Sequence, residues 1–411
     1  MRILFTAPNL PYPSTSGGAQ RTARLLESLQ RFADVDCFFI PAKAPSPSEL
    51  LELEAHASIL GTDSTDRIRM EHSGSIVSKL GKSIQTYWQG ERHRWVPCRS
   101  ATAKLLKLDD YDLVVSRYLA PACMLDLFRH PRLLIDVDDY DPDRLEMRIR
   151  SAAWLKNLTL KRCLRHSVQA HRNLLPKVQH AWISNENDRQ HAGLSRATLL
   201  PNLPYFDGGL LPKISAPNLK SQKFIMVGTF DYSANVLGAD LFIRDAWPQI
   251  IQKFPAAELI LIGRSMSQKQ KLRWEQNKGV QALGFVKHLS EHYASCIASI
   301  SPIITGAGTN IKVLESAAYG RVPVLTKTAR RGFENHFIHE RSCLIADDIS
   351  GMADPCIKVL SDKEEAIHLG SQARKVIEAN YTIDKFHAIV RKDCTETHQN
   401  KDFIPKYSAA L

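Results

Sequence analysis

Ala298–Thr326 reads A-S-I-S-P-I-I-T-G-A-G-T-N-I-K-V-L-E-S-A-A-Y-G-R-V-P-V-L-T, and the order of its residue types decides the fold. The apolar run Ala298–Pro302 predicts a short buried strand, and Val322–Thr326 predicts a second. Between them Asn310–Tyr319 predicts a helix, because Val313, Leu314, Ala317 and Ala318 recur on one face. Strand, helix and strand in that order form a parallel crossover. Gly306 and Gly308 place a permissive loop just before the helix, where backbone can approach a ligand closely.

The same alternation extends outward on both sides. Strands are expected at Phe224–Gly228, Leu259–Gly263, Val280–Gly284 and Cys343–Ala346, with helices at 235–254, after Ser265 and at 289–296. At the start of the chain, Ile3–Ala7 and Val35–Ile40 predict strands around a helix, Ala19–Phe32, that carries Ala23, Leu25, Leu26 and Leu29 at helical spacing. Further strands are expected at Leu113–Ser116, Leu133–Val137, Ala181–Ser184 and Thr198–Leu200, and the polar stretch 41–110 is expected to be mostly helical. Pro201, Pro204, Gly208, Gly209, Pro212 and Pro217 cluster where the alternation breaks, the composition of a linker. The expected organisation is an α/β fold of two doubly wound domains, 1–203 and 222–385, joined by a linker at 204–221. Residues 386–411 are expected to form a helix and tail packing back toward the first domain.

At 411 residues the chain exceeds one ordinary core. Apolar content of 44% and charged content of 24% exclude a disordered chain. The 54 Lys and Arg against 43 Asp and Glu give a net charge of +11, which suits an anionic partner: nucleic acid, acidic phospholipid or a phosphorylated small molecule. Nucleic acid is not expected, since no recognition motif or stacking platform accompanies the charge. Eight scattered cysteines without a C-x-x-C pair argue against a zinc site or a disulfide framework. Met1–Pro8 reads as a strand rather than a signal core, and no apolar run reaches the roughly 18 residues of a membrane span. The expected location is the cytoplasm, peripherally at the inner face of the cell membrane.

Three strand-to-helix turns are candidate sites, because ligands of doubly wound sheets bind at the carboxyl ends of strands. Asn9–Gly18 brings Gly17 and Gly18 to the start of a helix, suited to a phosphate or an acceptor oxygen; it also reads as a plain glycine-capped loop. It is neither a G-x-G-x-x-G fingerprint nor a Walker A sequence. Gly228–Asn235 lies where a phosphate-facing loop belongs, or is an ordinary turn capped by Asp231 or Ser233. In Thr305–Gly320 the backbone at 308–311 and Lys312 suit an anion, and Glu315 suits a ribose diol. The bland alternative there is a surface Lys–Glu pair.

Leu314-Glu315-Ser316-Ala317-Ala318-Tyr319-Gly320-Arg321-Val322-Pro323-Val324 resembles the L-E-A-M-A-x-G-x-P-V signature of family-four retaining glycosyltransferases (glycosyltransferases group 1), in the subset carrying G-x-G-T-x-x-K-x-L-E. G-G-A-Q-R at 17–21, Pro201-Asn202, V-G-T-F at 227–230, L-I-G-R at 261–264 and G-F-V at 284–286 resemble other family fragments in the right order. The resemblance implies the GT-B fold, two Rossmann-like domains facing a central cleft. It implies metal-independent transfer, with retention, from a nucleotide-diphosphate sugar to a saccharide, lipid-linked or small-molecule acceptor, as in bacterial-type polysaccharide or glycolipid synthesis. No cofactor and no metal are implied; the nucleotide sugar is a co-substrate.

Carried onto this sequence, the resemblance gives Glu315 the ribose hydroxyls. It gives Lys312, with the backbone of Gly308, Thr309, Asn310 and Ile311, the diphosphate. Gly228, Thr229, Arg264, Gly284, Phe285, Val286 and Gly306 complete the donor side, and Gly17, Gly18 and Arg117 fall on the acceptor side. Asp138 or Asp139 contacts the acceptor or orients a neighbour; Asp136-Val137-Asp138 matches a D-x-D metal motif only literally. The sequence departs from the family where many members carry a second glutamate, here Ala307, and where many carry an Arg and a Lys, here Thr229 and Asn235. The first departure leaves the sugar unassigned and keeps a catalytically inactive nucleotide-sugar-binding or scaffold protein as the alternative. The second directs the diphosphate to Lys312 and Arg264.

Residues 150–180 hold Arg150, Lys156, Lys161, Arg162, Arg165, Arg172 and Lys177 and no Asp or Glu. They read either as a cationic face toward an acidic membrane surface or as a solvated helix packed on the sheet.

Overall fold

The computed structural model describes residues 1–13, 16–68, 92–98, 106–150, 154–192, 194, 197–204, 206, 211–214, 219–306 and 308–400. The chain divides into two compact units. The first comprises Met1–Pro201 with the segment beginning at Asp384, and the second comprises Asn202–Ile383. Ala307, much of the expected linker and 401–411 lie outside the described residues.

The first unit runs β1 (Arg2–Ala7), α1 (Gly17–Gln30), β2 (Asp34–Phe39), α2 (Pro47–Glu54), β3 (Ser58–Thr62), β4 (Leu113–Arg117), α3 (Leu119–Met124), β5 (Leu133–Asp138), α4 (Asp141–Arg150), α5 (Trp154–Leu174), β6 (His180–Ile183), α6 (Glu186–His191) and β7 (Ala197–Leu199). Its seven strands are parallel in the order β3-β2-β1-β4-β5-β6-β7, with Phe5 opposite both Cys37 and Val115. The strands read as unbroken apolar runs because helices cover a parallel sheet on both faces. β3 falls within 41–110, the stretch expected to be mostly helical; α2 there is a helix, and 69–91 and 99–105 lie outside the described residues. S-I-L-G-T is too short to make a helix that buries a face, and it pairs with β2 as an edge strand instead.

The second unit runs β8 (Lys223–Val227), α7 (Ser233–Leu241), α8 (Trp247–Lys253), β9 (Glu258–Ile262), α9 (Gln268–Glu275), β10 (Val280–Gly284), α10 (Ser290–Ser295), β11 (Ala298–Ser301), α11 (Ile311–Ala318), β12 (Val322–Thr326), β13 (Leu344–Ala346), α12 (Ala353–Ser361) and α13 (Lys363–Asn380). A wide π-type turn, Phe242–Ala246, joins α7 to α8. The sheet order is β10-β9-β8-β11-β12-β13, again all parallel. Described parts of the proline-rich segment pack on this unit. The Arg374 guanidinium donates to the Pro212 carbonyl at 3.0 Å, and Asn202 donates to Thr309 Oγ1 at 2.9 Å.

A last helix, α14 (Ile383–Gln399), belongs to the first unit from Asp384 onward. Its Asp393 accepts from Trp182 Nε1 at 2.8 Å and from His180 Nε2 at 3.1 Å, and its His387 meets Ser28 Oγ at 2.6 Å. Among the described residues, no helix is long and apolar enough to cross a membrane.

Each sheet reverses its strand order once, between β1 and β4 and between β8 and β11. Loops leave such a crossing in opposite directions and open a crevice at the carboxyl ends of the strands. All three turns singled out in the sequence lie at these crossings.

Candidate functional sites

In the second unit the carboxyl ends of β8, β9 and β10 are laced together by backbone alone. Gly228 N–H donates to Ile262 O at 3.0 Å, Gly263 N–H to Gly284 O at 2.8 Å, and Phe230 N–H to Arg264 O at 2.9 Å. A Cβ on Gly263 would sit 1.5 Å from the Gly228 carbonyl oxygen, so only glycine allows this approach. Across the crossing, the loop after β11 reaches α11 through Gly306, whose φ of 134° suits glycine and which packs beneath the Tyr232 hydroxyl. Asn310 flanks the start of α11 without capping it; its side chain donates instead to Ala329 O at 3.1 Å.

That leaves the helix start open, because the amides of Gly308, Thr309 and Asn310 have no protein partner among the described residues. Of the four amides expected to face an anion, Ile311 N–H is instead taken by Thr309 O at 3.1 Å.

Lys312 and Glu315 are half-buried on the first turn of α11. They do not pair with each other. The Lys312 ammonium donates to Asn235 Oδ1 at 2.5 Å, and Asn235 Nδ2 donates to Thr229 O at 2.9 Å. This chain ties the turn after β8 to α11. Glu315 has no hydrogen-bond partner among the described residues. Burial pushes Lys312 down to about 8, against the pull of Glu315, and pushes Glu315 up to about 7, against Lys312. Two partly buried ionisable groups that form no ion pair with each other, in a strand-end crevice, make a candidate ligand site. Phe285 is 62% exposed just past β10, with the Arg264 guanidinium 4.7 Å over its ring; Val286 packs into the core beside it. A flat aromatic face held by a cation at the rim of this crevice has the chemistry of a stacking platform.

The first unit answers the same position differently. Arg117 is wholly buried: Nε donates to Asp136 at 2.9 Å, Nη2 to Asp138 at 2.6 Å, and Nη1 to Gly18 O at 2.6 Å. Arg21 grips Asp136 through Nη2 at 2.6 Å and Nε at 2.9 Å, and also donates to Leu200 O at 3.0 Å. Tyr118 Oη donates to Asp138 Oδ2 at 3.0 Å. The structure thus brings Gly18, Arg117 and Asp138 into one network, with Arg117 buried inside it; Gly17 opens α1 beside them and makes none of these bonds. Asp136 and Asp138 are claimed by guanidinium groups, and no cluster of three metal-ligating side chains occurs among the described residues. Tyr118 and Asp138 both take left-handed φ values, 62° and 57°, at adjacent strand ends. Asp139 next to them is half-buried and accepts weakly from Ser184 Oγ at 3.4 Å. Burial, with Asp138 and Asp188 adding to it, pushes its carboxyl up to about 7.

Sequence reasoning missed a cavity of about 380 Å³ at the carboxyl ends of β1, β4 and β5, lined among others by Asn9, Trp95, Tyr118, Asp141, Arg144 and His171. Arg144 pairs with Asp141, which accepts from Ser167 Oγ at 2.8 Å. His171 Nδ1 lies 2.8 Å from Ser167 O, and burial pushes the imidazole down and keeps it neutral. The one available signal was the D-P-D-R run at 141–144 opening a helix just after a strand. Trp95 and His171 come from distant segments that only the fold joins.

Residues 221–362 match the family described as Glycosyl transferases group 1. No curated protein matches the chain. Among solved structures, sucrose-phosphate synthase from Thermosynechococcus elongatus is similar at 14% identity with a TM-score of 0.68, covering 96% of this chain and 98% of that one. Anabaena HepE in complex with UDP-glucose is similar at 13% identity with a TM-score of 0.62, covering 96% and 100%. The α,α-trehalose 6-phosphate synthase of Burkholderia multivorans is similar at 13% identity with a TM-score of 0.63, covering 96% and 98%. At such identities the likeness shows the fold: two parallel-sheet Rossmann-like domains of the GT-B type.

Proposed function

We propose that this protein is a glycosyltransferase that takes a sugar from a nucleotide-diphosphate donor bound by its second unit and transfers it with retention, without a metal ion. The observation that carries the reading is the unpaired, desolvated Lys312 and Glu315 at the β8/β11 crossing, inside the segment that matches the glycosyltransferase family. The Lys312 ammonium and the open amides of Gly308, Thr309 and Asn310 hold the diphosphate. They oppose the charge that develops as the sugar–phosphate bond breaks. Glu315 accepts from the ribose hydroxyls, and Phe285 backed by Arg264 stacks on the base. On the first unit, the cavity beside Tyr118 and His171 takes a saccharide or lipid-linked acceptor. Asp141 is a carboxyl that lines this cavity; Asp139, two residues before it, contacts the acceptor or orients a neighbour, and Asp138 is a positioning residue fixed by Arg117.

A panel of nucleotide sugars tested by thermal shift identifies the donor, because a ligand that binds only the folded state raises the midpoint. Donor hydrolysis or transfer with the same sugar is expected in wild type and is expected to be lost in Lys312→Ala and Glu315→Ala. Full activity in both variants overturns the site. Tight donor binding with no turnover toward any acceptor or water makes the chain a nucleotide-sugar-binding protein instead.

A further inference from the structure

On α5 the buried side chains are Leu160, Cys163, Ser167, Ala170, His171 and Leu174; Leu160 and Cys163 pack with Leu145 of α4, and Ala170 and Leu174 join the core cluster of the sheet. Lys161, Arg165, Val168 and Arg172 repeat at intervals of four, three and four, so they form one outward stripe roughly 16 Å long. All four are exposed, Val168 by 41%. Lys161, Arg165 and Arg172 have no ion pair or hydrogen bond among the described residues. Exposed helical cations usually meet a carboxylate one turn away. Here none exists to meet, since 150–180 contains no Asp or Glu.

Beside the carboxyl end of this stripe lies a cavity of about 580 Å³, in the size range of small-molecule sites. Val168, Leu175, Val178, Leu194 and Ala197 give it apolar walls, and Arg172 stands at its edge. Gln179 also lines it, 8% exposed, with its Oε1 bonded to nothing while its Nε2 donates to Asn400 O at 3.1 Å. A buried acceptor without a donor is costly, and so points to a group that supplies one. The site therefore offers a cation for a phosphate, an acceptor for a hydroxyl and apolar walls for a hydrocarbon chain.

We propose that the outward stripe of α5 seats the protein on an acidic phospholipid bilayer. One phospholipid enters the cavity, its phosphate on Arg172, its head-group hydroxyl on Gln179 and its chain along Val168 and Leu175. Anionic lipid matches the unopposed cations, and Val168 between them meets the acyl boundary where a purely polar partner would leave it exposed. This inference does not rest on the transferase reading, and its test reads binding without any sugar.

The test is sedimentation of the full-length protein with phosphatidylcholine vesicles, with and without phosphatidylglycerol. Wild type is expected to pellet only with the acidic vesicles. Lys161→Glu/Arg165→Glu/Arg172→Glu, which breaks no ion pair or hydrogen bond among the described residues, is expected to lose affinity by about 100-fold or more. A control with the same charge change on the second unit, Lys253→Glu/Lys269→Glu/Lys278→Glu, is expected to stay within about twofold. Ala192→Trp, which fills the cavity mouth, is expected to weaken binding by about threefold to tenfold. Equal pelleting of wild type and the α5 variant, or equal loss in the two triple variants, overturns the proposal. Unchanged binding of Ala192→Trp removes the lipid from the cavity. Circular dichroism melting of each variant separates a binding defect from unfolding.

Discussion

At the crossing of β1 and β4, two guanidinium groups meet two carboxylates, and every charge is answered within 3 Å by Arg21, Arg117, Asp136 or Asp138. At the crossing of β8 and β11, one ammonium and one carboxylate are held three residues apart on α11 and do not meet. The topological position is the same in both units and the electrostatic solution is opposite. In the first, burial opposes the charge, but Asp136 and Asp138 raise Arg21, and Tyr118 with Asp138 and Asp136 raises Arg117, above the ordinary value. In the second, burial wins, and both groups are pushed toward neutrality. A satisfied network fixes strand ends and resists change, whereas an unsatisfied pair stores free energy that a ligand releases on binding.

The comparison breaks most visibly through stability. Arg117→Met leaves Asp136 and Asp138 buried with one guanidinium between them, and unfolding free energy is expected to fall by about 3–5 kcal/mol. Urea unfolding of the intact chain measures it; a loss below 1 kcal/mol would mean that the quartet is not the strut described here. Lys312→Met is expected to leave stability unchanged within about 1 kcal/mol, because the ammonium gains little from its surroundings. Its cost appears in donor affinity, which is expected to fall by about 2–3 kcal/mol as a charge-assisted contact to diphosphate is lost. Calorimetric titration with the donor found by thermal shift checks that value.

Glu315 sharpens the contrast through pH. Its folded pKa of about 7 lies above the ordinary 4.5, so the neutral carboxyl favours folding below 4.5 and that contribution is lost as pH rises through 7. Gln at this position never ionises and keeps the contribution. Glu315→Gln is therefore expected to be more stable than wild type by about 1–2 kcal/mol at pH 8, a gain that vanishes near pH 4.5. Denaturant unfolding at the two pH values tests it. A constant difference would mean that packing, not charge, separates the two side chains.

How much of this was legible beforehand follows the range of the interactions. The strand–loop–helix–strand order of 298–326, the second unit's sequence of elements and the location of Lys312 and Glu315 on one helix turn all rest on local periodicity. They appear in the structure within one or two residues. The failure of Lys312 to pair with Glu315 was not legible, because Asn235, its actual partner, lies 77 positions earlier. Arg117 read as an open cleft residue because it ends a strand. Its burial depends on Asp136, set opposite it by parallel pairing with β5, and on Gly18 at the start of α1. Ser58–Thr62 became a strand through the free edge of β2, which no window of five residues reveals.

Asn235 offers the finest test, because one atom there decides which of the two electrostatic solutions the second unit adopts. Its Oδ1 accepts from Lys312 without bearing a charge, so the ammonium is oriented but not neutralised. Asn235→Asp keeps the shape and adds the missing counter-ion, giving α11 the paired state of the first unit. Stability is expected to stay within about 1 kcal/mol at pH 7, since the new ion pair with Lys312 is offset by loss of the Nδ2 bond to Thr229 O and by the carboxylate oxygen then facing that carbonyl. The Lys312 pKa moves upward, so the alkaline limit of donor binding shifts to higher pH. Affinity for the diphosphate drops at every pH, because the new carboxylate competes for the ammonium and repels the ligand. Affinity thus falls while stability moves little. If affinity were unchanged or rose, Lys312 would be a structural cation, and the two crossings would not differ in kind.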